Sequence, residues 1–175
     1  MEELLLSYRD ENCGFDLSTR LREIRACHGE LVWLCIGTDK QIADSLGPLI
    51  GTMLYCAMPQ LNIAGKLEAP VHAKNIRPMV RSLRESFPQA AMIAIDAAAG
   101  PAGQLGRICL RQGGLLPGKA LAKNIPRVGD YALTVVVQGS GHFKPETKAQ
   151  GLSFIYNLAE IISRAVIESY TEEIG

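Results

Sequence analysis

The run Leu31-Val32-Trp33-Leu34-Cys35-Ile36 is apolar at every position. A strand with one face in water alternates apolar and polar residues, so a run without alternation needs cover on both faces. Ala91-Met92-Ile93-Ala94-Ile95 repeats the pattern later in the chain. Around these runs the period becomes helical. Leu17, Leu21 and Ile24 lie on one face of a helix over 17–26 that Gly29 ends. Leu46, Leu49, Ile50, Met53, Leu54 and Ala57 keep the i, i+3, i+4, i+7 spacing of a second helix over 45–58, with Pro48 in its first turn. Asn75 is placed to cap a third helix reaching about Phe87. Short strands are expected over 61–67, interrupted by Gly65, and over 106–111 and 131–138, with a closing helix over about 144–173. This alternation implies an α/β three-layer sandwich, a mostly parallel sheet between helices. At 175 residues the chain fits a single domain, 1–175.

Ligands of an open parallel sheet bind outside the carboxyl ends of its strands. Two acids are expected there. Asp44 follows the first apolar run in Gly37-Thr38-Asp39-Lys40-Gln41-Ile42-Ala43-Asp44-Ser45-Leu46-Gly47-Pro48. Asp96 follows Ala91 to Ile95, where the strand is expected to give way to a loop through Gly103. Asp44 is equally placed to be a helix N-cap. Asp96 has no such structural reason, because a charge after five apolar residues is costly unless it meets solvent, a partner or a substrate. Two carboxylates held together can share a proton, one polarising a carbonyl while the other activates water. The pair could instead hold a divalent metal with His72 or His142, although each histidine is isolated in sequence. Asp39 either joins the site or tightens the loop through an Asx turn. Thr38 stands beside it, and Lys123 and Asn124 lie in a polar loop that could approach the crevice.

Other chemistries lack their motifs. There is no Gly-x-Gly-x-x-Gly or Gly-Lys-[Ser/Thr] phosphate cradle and no Gly-x-Ser-x-Gly elbow. Lys plus Arg and Asp plus Glu are both 18, so charge offers no argument for nucleic acid or an anionic membrane, and neutrality leaves self-association to a homo-oligomer open. The five cysteines are scattered, without a Cys-x-x-Cys pair, as suits a reducing cytoplasm. Met1 to Ser7 lacks the basic start of a secretory signal, and no apolar run approaches the ~20 residues of a membrane span.

The blocks Cys35 to Asp39, Asp44 to Leu49, Pro70-Val71-His72-Ala73, Ala94 to Ala97, Pro117-Gly118 and Pro126-x-Val128-Gly129-Asp130 resemble, in order, the YyaC sporulation protein family of spore-forming Firmicutes. That family is similar to the germination (spore) protease, an atypical aspartic endopeptidase acting on small acid-soluble spore proteins. It is more distantly similar to the hydrogenase maturation peptidases, which share the α/β fold and add a nickel-binding histidine. The resemblance implies catalytic roles for Asp44 and Asp96, beside which Thr38, Asp39, His72, Lys123 and Asn124 are the candidates to support the site or bind substrate. It implies a peptide or protein substrate, small acid-soluble spore proteins among them, and a place in the mother cell or forespore cytoplasm. No histidine falls between Asp96 and His142, so neither a metal nor another cofactor is expected. The chain departs from the family at Ala97-Ala98-Ala99-Gly100, where Ala-Cys-Leu-Gly is usual, and at Lys119-Ala120-Leu121, which lacks a second glycine. A non-catalytic relative binding a peptide or spore component in the same crevice is the alternative, and a metal-assisted peptidase a further one.

Overall fold

The computed structural model describes residues 3–117, 127–139 and 151–171. Its elements are β1 (Leu4–Ser7), α1 (Cys13–His28), β2 (Leu31–Cys35), α2 (Leu46–Ala57), β3 (Asn62–Ala64), α3 (Ile76–Ser86), β4 (Ala91–Gly100), β5 (Arg107–Gln112), β6 (Tyr131–Gly139) and α4 (Leu152–Tyr170). One six-stranded sheet runs in the order β1-β5-β6-β4-β2-β3. β3, β2, β4 and β6 are parallel, β5 is antiparallel to β6, and β1, antiparallel to β5, runs in the direction of the parallel four. The expected α/β architecture, a mostly parallel sheet flanked by helices, is the one observed.

Residue parity explains the layers. Trp33, Cys35, Ile93, Ile95, Leu133 and Val135 face α1, α2 and α4 in the larger core. Val32, Leu34, Met92, Ala94 and Ala132 face the other way, where Ile76, Met79, Val80, Leu83 and Phe87 bring α3 onto the sheet. Every residue of β2 is buried, which is why its sequence shows no alternation.

Several boundaries differ from expectation. β4 does not end at Ile95 but continues to Gly100, because β6 pairs with it as far as Gly100↔Gly139, with one irregularity at Ala98/Ala99. Asp96 is therefore inside a strand, opposite Thr134. Pairing overrides the low strand preference of alanine. Leu4 to Ser7, to which sequence patterning assigned no element, is an edge strand against β5. β3 is shorter than expected and stops before Gly65. Asn75 precedes α3 without capping it. Its Oδ1 accepts the His72 N–H (2.8 Å) and its Nδ2 donates to the Pro70 carbonyl (3.0 Å), closing the preceding turn instead. α4 begins after an extended Gly151 and ends at Tyr170, and the part of the expected helix over 144–150 lies outside the described residues.

Candidate active site at the carboxyl edge of the parallel strands

Gly37 organises this edge. The Ile36 N–H donates to the Ile95 carbonyl (2.8 Å), so β2 leaves the sheet at the level where β4 reaches Asp96. The Gly37 N–H then donates to the Val71 carbonyl (2.8 Å), which brings His72 alongside. The Thr38 N–H donates to the Asp44 carbonyl (3.0 Å), folding the 38–44 loop back over the end of β2. A side chain on Gly37 would collide with that same Asp44 carbonyl and lie 2.9 Å from Pro48 Cδ. Only glycine permits this approach, and its φ of 148° is one that L side chains rarely adopt.

The backbone thus places Asp44, Asp96, Thr38 and His72 at one edge of the sheet. Asp44 is exposed and occupies the 3-10 turn Ile42–Ser45 that leads into α2. It is not the cap of α2. Ser45 holds that position and makes no side-chain cap hydrogen bond. Asp44's carboxylate has no hydrogen bond or ion pair among the described residues. Asp96 is half-buried and shares a sheet face with Met92 and Ala94. Thr38 is half-buried, and its Oγ1 accepts a long hydrogen bond from the Lys40 N–H (3.4 Å) around an exposed Asp39. His72 is half-buried, with Nδ1 accepting from the Lys74 N–H (3.3 Å). Lys123 and Asn124 lie outside the described residues, as does His142.

The thiol nearest this edge is no nucleophile. Cys35 is fully buried, and desolvation pushes it up to about 12. Among the described residues no three His, Cys, Asp or Glu side chains group so as to hold a metal ion.

A cavity of about 530 Å³ opens at the opposite edge of the sheet, between His28, Arg84, Asp130 and Tyr131. The four side chains pair with one another. His28 Nε2 lies 3.0 Å from the Tyr131 hydroxyl, and Arg84 pairs with Asp130 at 2.9 Å. Asp130 also accepts the Met92 N–H (2.7 Å), tying β4, β6 and α3 together. Sequence patterning gave Asp130 no role, because nothing in the spacing of Arg84, Met92 and Asp130 signals that they meet.

The family model described as "Protein of unknown function (DUF1256)" matches residues 5–165. The chain belongs to the DUF1256 family. The uncharacterized protein YyaC of Bacillus subtilis (strain 168) is 31% identical over 152 residues, 86% of this chain and 73% of the relative. That bears out the resemblance seen in the ordered motif blocks. The [NiFe] hydrogenase maturation protease HycI from Thermococcus kodakarensis KOD1 superposes with a TM-score of 0.53, covering 85% of this chain and 99% of its own. At 14% identity the likeness is one of fold. Among the described residues no helix is long and apolar enough to cross a membrane.

Proposed function

We propose that this DUF1256 protein is a sporulation-associated peptidase that hydrolyses peptide bonds with Asp44 and Asp96 as an acid–base pair. The observation that supports the reading is that the Thr38 N–H holds the Asp44 carbonyl while the Ile36 N–H holds Ile95, the residue before Asp96, at the strand edge where α/β enzymes keep their chemistry. The protease-like fold supports it. So does the likeness of the Asp44–Pro48 and Ile93–Ala97 segments to the germination protease, whose substrates, small acid-soluble spore proteins in the spore-forming cell's cytoplasm, are the proposed targets.

In this mechanism one carboxyl donates a hydrogen bond to the scissile carbonyl oxygen. The other carboxylate takes a proton from water as its oxygen adds to the carbonyl carbon. Returning that proton to the amide nitrogen lets the C–N bond break. A positioned acid or base contributes typically 10²–10⁴-fold to rate. Asp44→Asn and Asp96→Asn should each lower cleavage of small acid-soluble spore proteins, or of a peptide library, by at least ~100-fold. Undiminished cleavage in both variants would eliminate the pair. Saturable binding without cleavage by the unsubstituted chain would leave the crevice a peptide-binding site.

A further inference from the structure

Beyond Asp96, one face of the sheet carries no helix among the described residues, and the strand register shows what it presents. Asp96 lies opposite Thr134, Thr134 opposite Cys109, and Cys109 opposite Leu5, one row across β4, β6, β5 and β1. Thr134 and Val136 are half-buried while Leu133, Val135 and Val137 are buried, so this face is open and the other packed. Arg107 and Ser7, paired across β5 and β1, share the open face because their neighbours Ile108 and Leu6 enter the core. Two strand spacings and two residues along a strand separate Asp96 from Arg107, about 12 Å or three to four residues of extended chain.

At that distance the face runs into a second cavity, of about 300 Å³, lined by Arg107, Asp10, Ser7, Gln104 and Leu105 among others. Both charged groups are exposed, and they make no ion pair with each other. Asp10 Oδ2 accepts the Ser7 N–H (2.9 Å), which leaves Oδ1 for another donor. One cavity therefore offers an anionic acceptor and a guanidinium donor. A carboxylate would satisfy Arg107 and oppose Asp10, and an ammonium would do the reverse. A primary carboxamide satisfies both, its oxygen taking Arg107 and its NH₂ giving to Asp10.

We propose that Arg107 and Asp10 form a specificity subsite for a glutamine or asparagine side chain of an extended peptide, three to four residues from the bond held at Asp96. The proposal rests on the peptidase reading for its orientation, and its test uses binding so that the two can fail separately. Fluorescein-labelled alanine-based nonapeptides, with Gln, Glu, Lys or norleucine placed three or four residues to either side of the centre, are titrated by anisotropy against the full chain. The Gln peptide should bind roughly 3–10-fold more tightly than the other three at one such position. Asp10→Asn should move the preference to Glu, and Arg107→Met should remove the advantage of Gln over norleucine, with melting temperatures confirming that both variants fold. A ranking unchanged in both variants, or no saturable binding of any peptide, overturns the subsite. Loss of the acid–base pair with this ranking intact would overturn only the proposed chemistry.

Discussion

Gly51 sets two physical arguments against each other. It lies in the middle of α2, where alanine is favoured over glycine by roughly 1 kcal/mol. On propensity alone Gly51→Ala should stabilise the protein. The packing opposes this. A Cβ at Gly51 would collide with the Gly65 carbonyl oxygen, and would lie 3.1 Å from its carbon and 3.3 Å from Cys35 Cβ. The obstacle is backbone, and Gly65 cannot retreat, because it is itself pressed against the Cys35 carbonyl with a φ of 93°. α2 must move out by roughly 1 Å, loosening Leu46, Ile50 and Leu54, all at 0% exposure. Overpacking of this kind costs about 1–3 kcal/mol and sometimes more. With a backbone obstacle we expect about 3–4 kcal/mol, leaving about 2–3 net after the propensity gain. In a chain of this size that lowers Tm by about 5–10 °C. Gly14→Ala is the control, since a Cβ there, in the first turn of α1, meets nothing within 4 Å. Thermal unfolding followed by circular dichroism should show Gly14→Ala neutral or stabilised and Gly51→Ala clearly lowered. A Gly51→Ala protein melting at or above the parent would refute the close approach of α2 to the strand ends.

Asp130→Ala should cost about 1–3 kcal/mol in urea unfolding, because it strips the Met92 N–H of its acceptor. Arg84→Met should cost less, since that pair is 38% and 42% exposed and screened by water, and equal costs would refute the ranking. Alkaline pH should also destabilise the fold. Burial, ahead of neighbouring acids, pushes Cys13 and Cys109 up to about 11, and burial pushes Cys35 up to about 12. Because these folded values exceed the ~8.5 of a free thiol, the unfolded chain ionises first. The stabilisation is complete below about pH 8.5 and falls as pH rises towards 11–12. Urea midpoints from pH 7 to 10.5 should decline over the upper half of that range, and a flat profile would refute the thiol contribution.

What was legible in the sequence follows from where each element obtains its stability. β2 and the first half of β4 are buried on both faces, and their apolar runs state this directly. α2 declares itself by its spacing for the same reason. β1 does not, because only Leu6 of its four residues enters the core and the strand exists through β5. Nor does Ala97 to Gly100 declare itself, since its strand conformation comes from pairing with β6 and from no preference of its own. The same loss of signal misplaced Asp96 at a strand end. It stands at the end of β2's pairing instead, which keeps it at the expected edge.

Asp44 was ambiguous in sequence because an aspartate before a helical pattern has the form of an N-cap whatever its role. The chain resolves this by entering α2 through a 3-10 turn, so that Asp44's main-chain carbonyl is used, by the Thr38 N–H, while its carboxylate is left over. The loop's geometry thus depends on the backbone of Asp44 and on the missing side chain of Gly37. It does not depend on the aspartate's charge. Asp44→Asn therefore removes no side-chain hydrogen bond or ion pair among the described residues, and should leave the stability within about 0.5 kcal/mol of the parent's. Gly37→Ala should unseat the whole edge. If Asp44→Asn abolishes cleavage at unchanged Tm, the loss lies in the chemistry of the carboxylate and not in the scaffold that holds it.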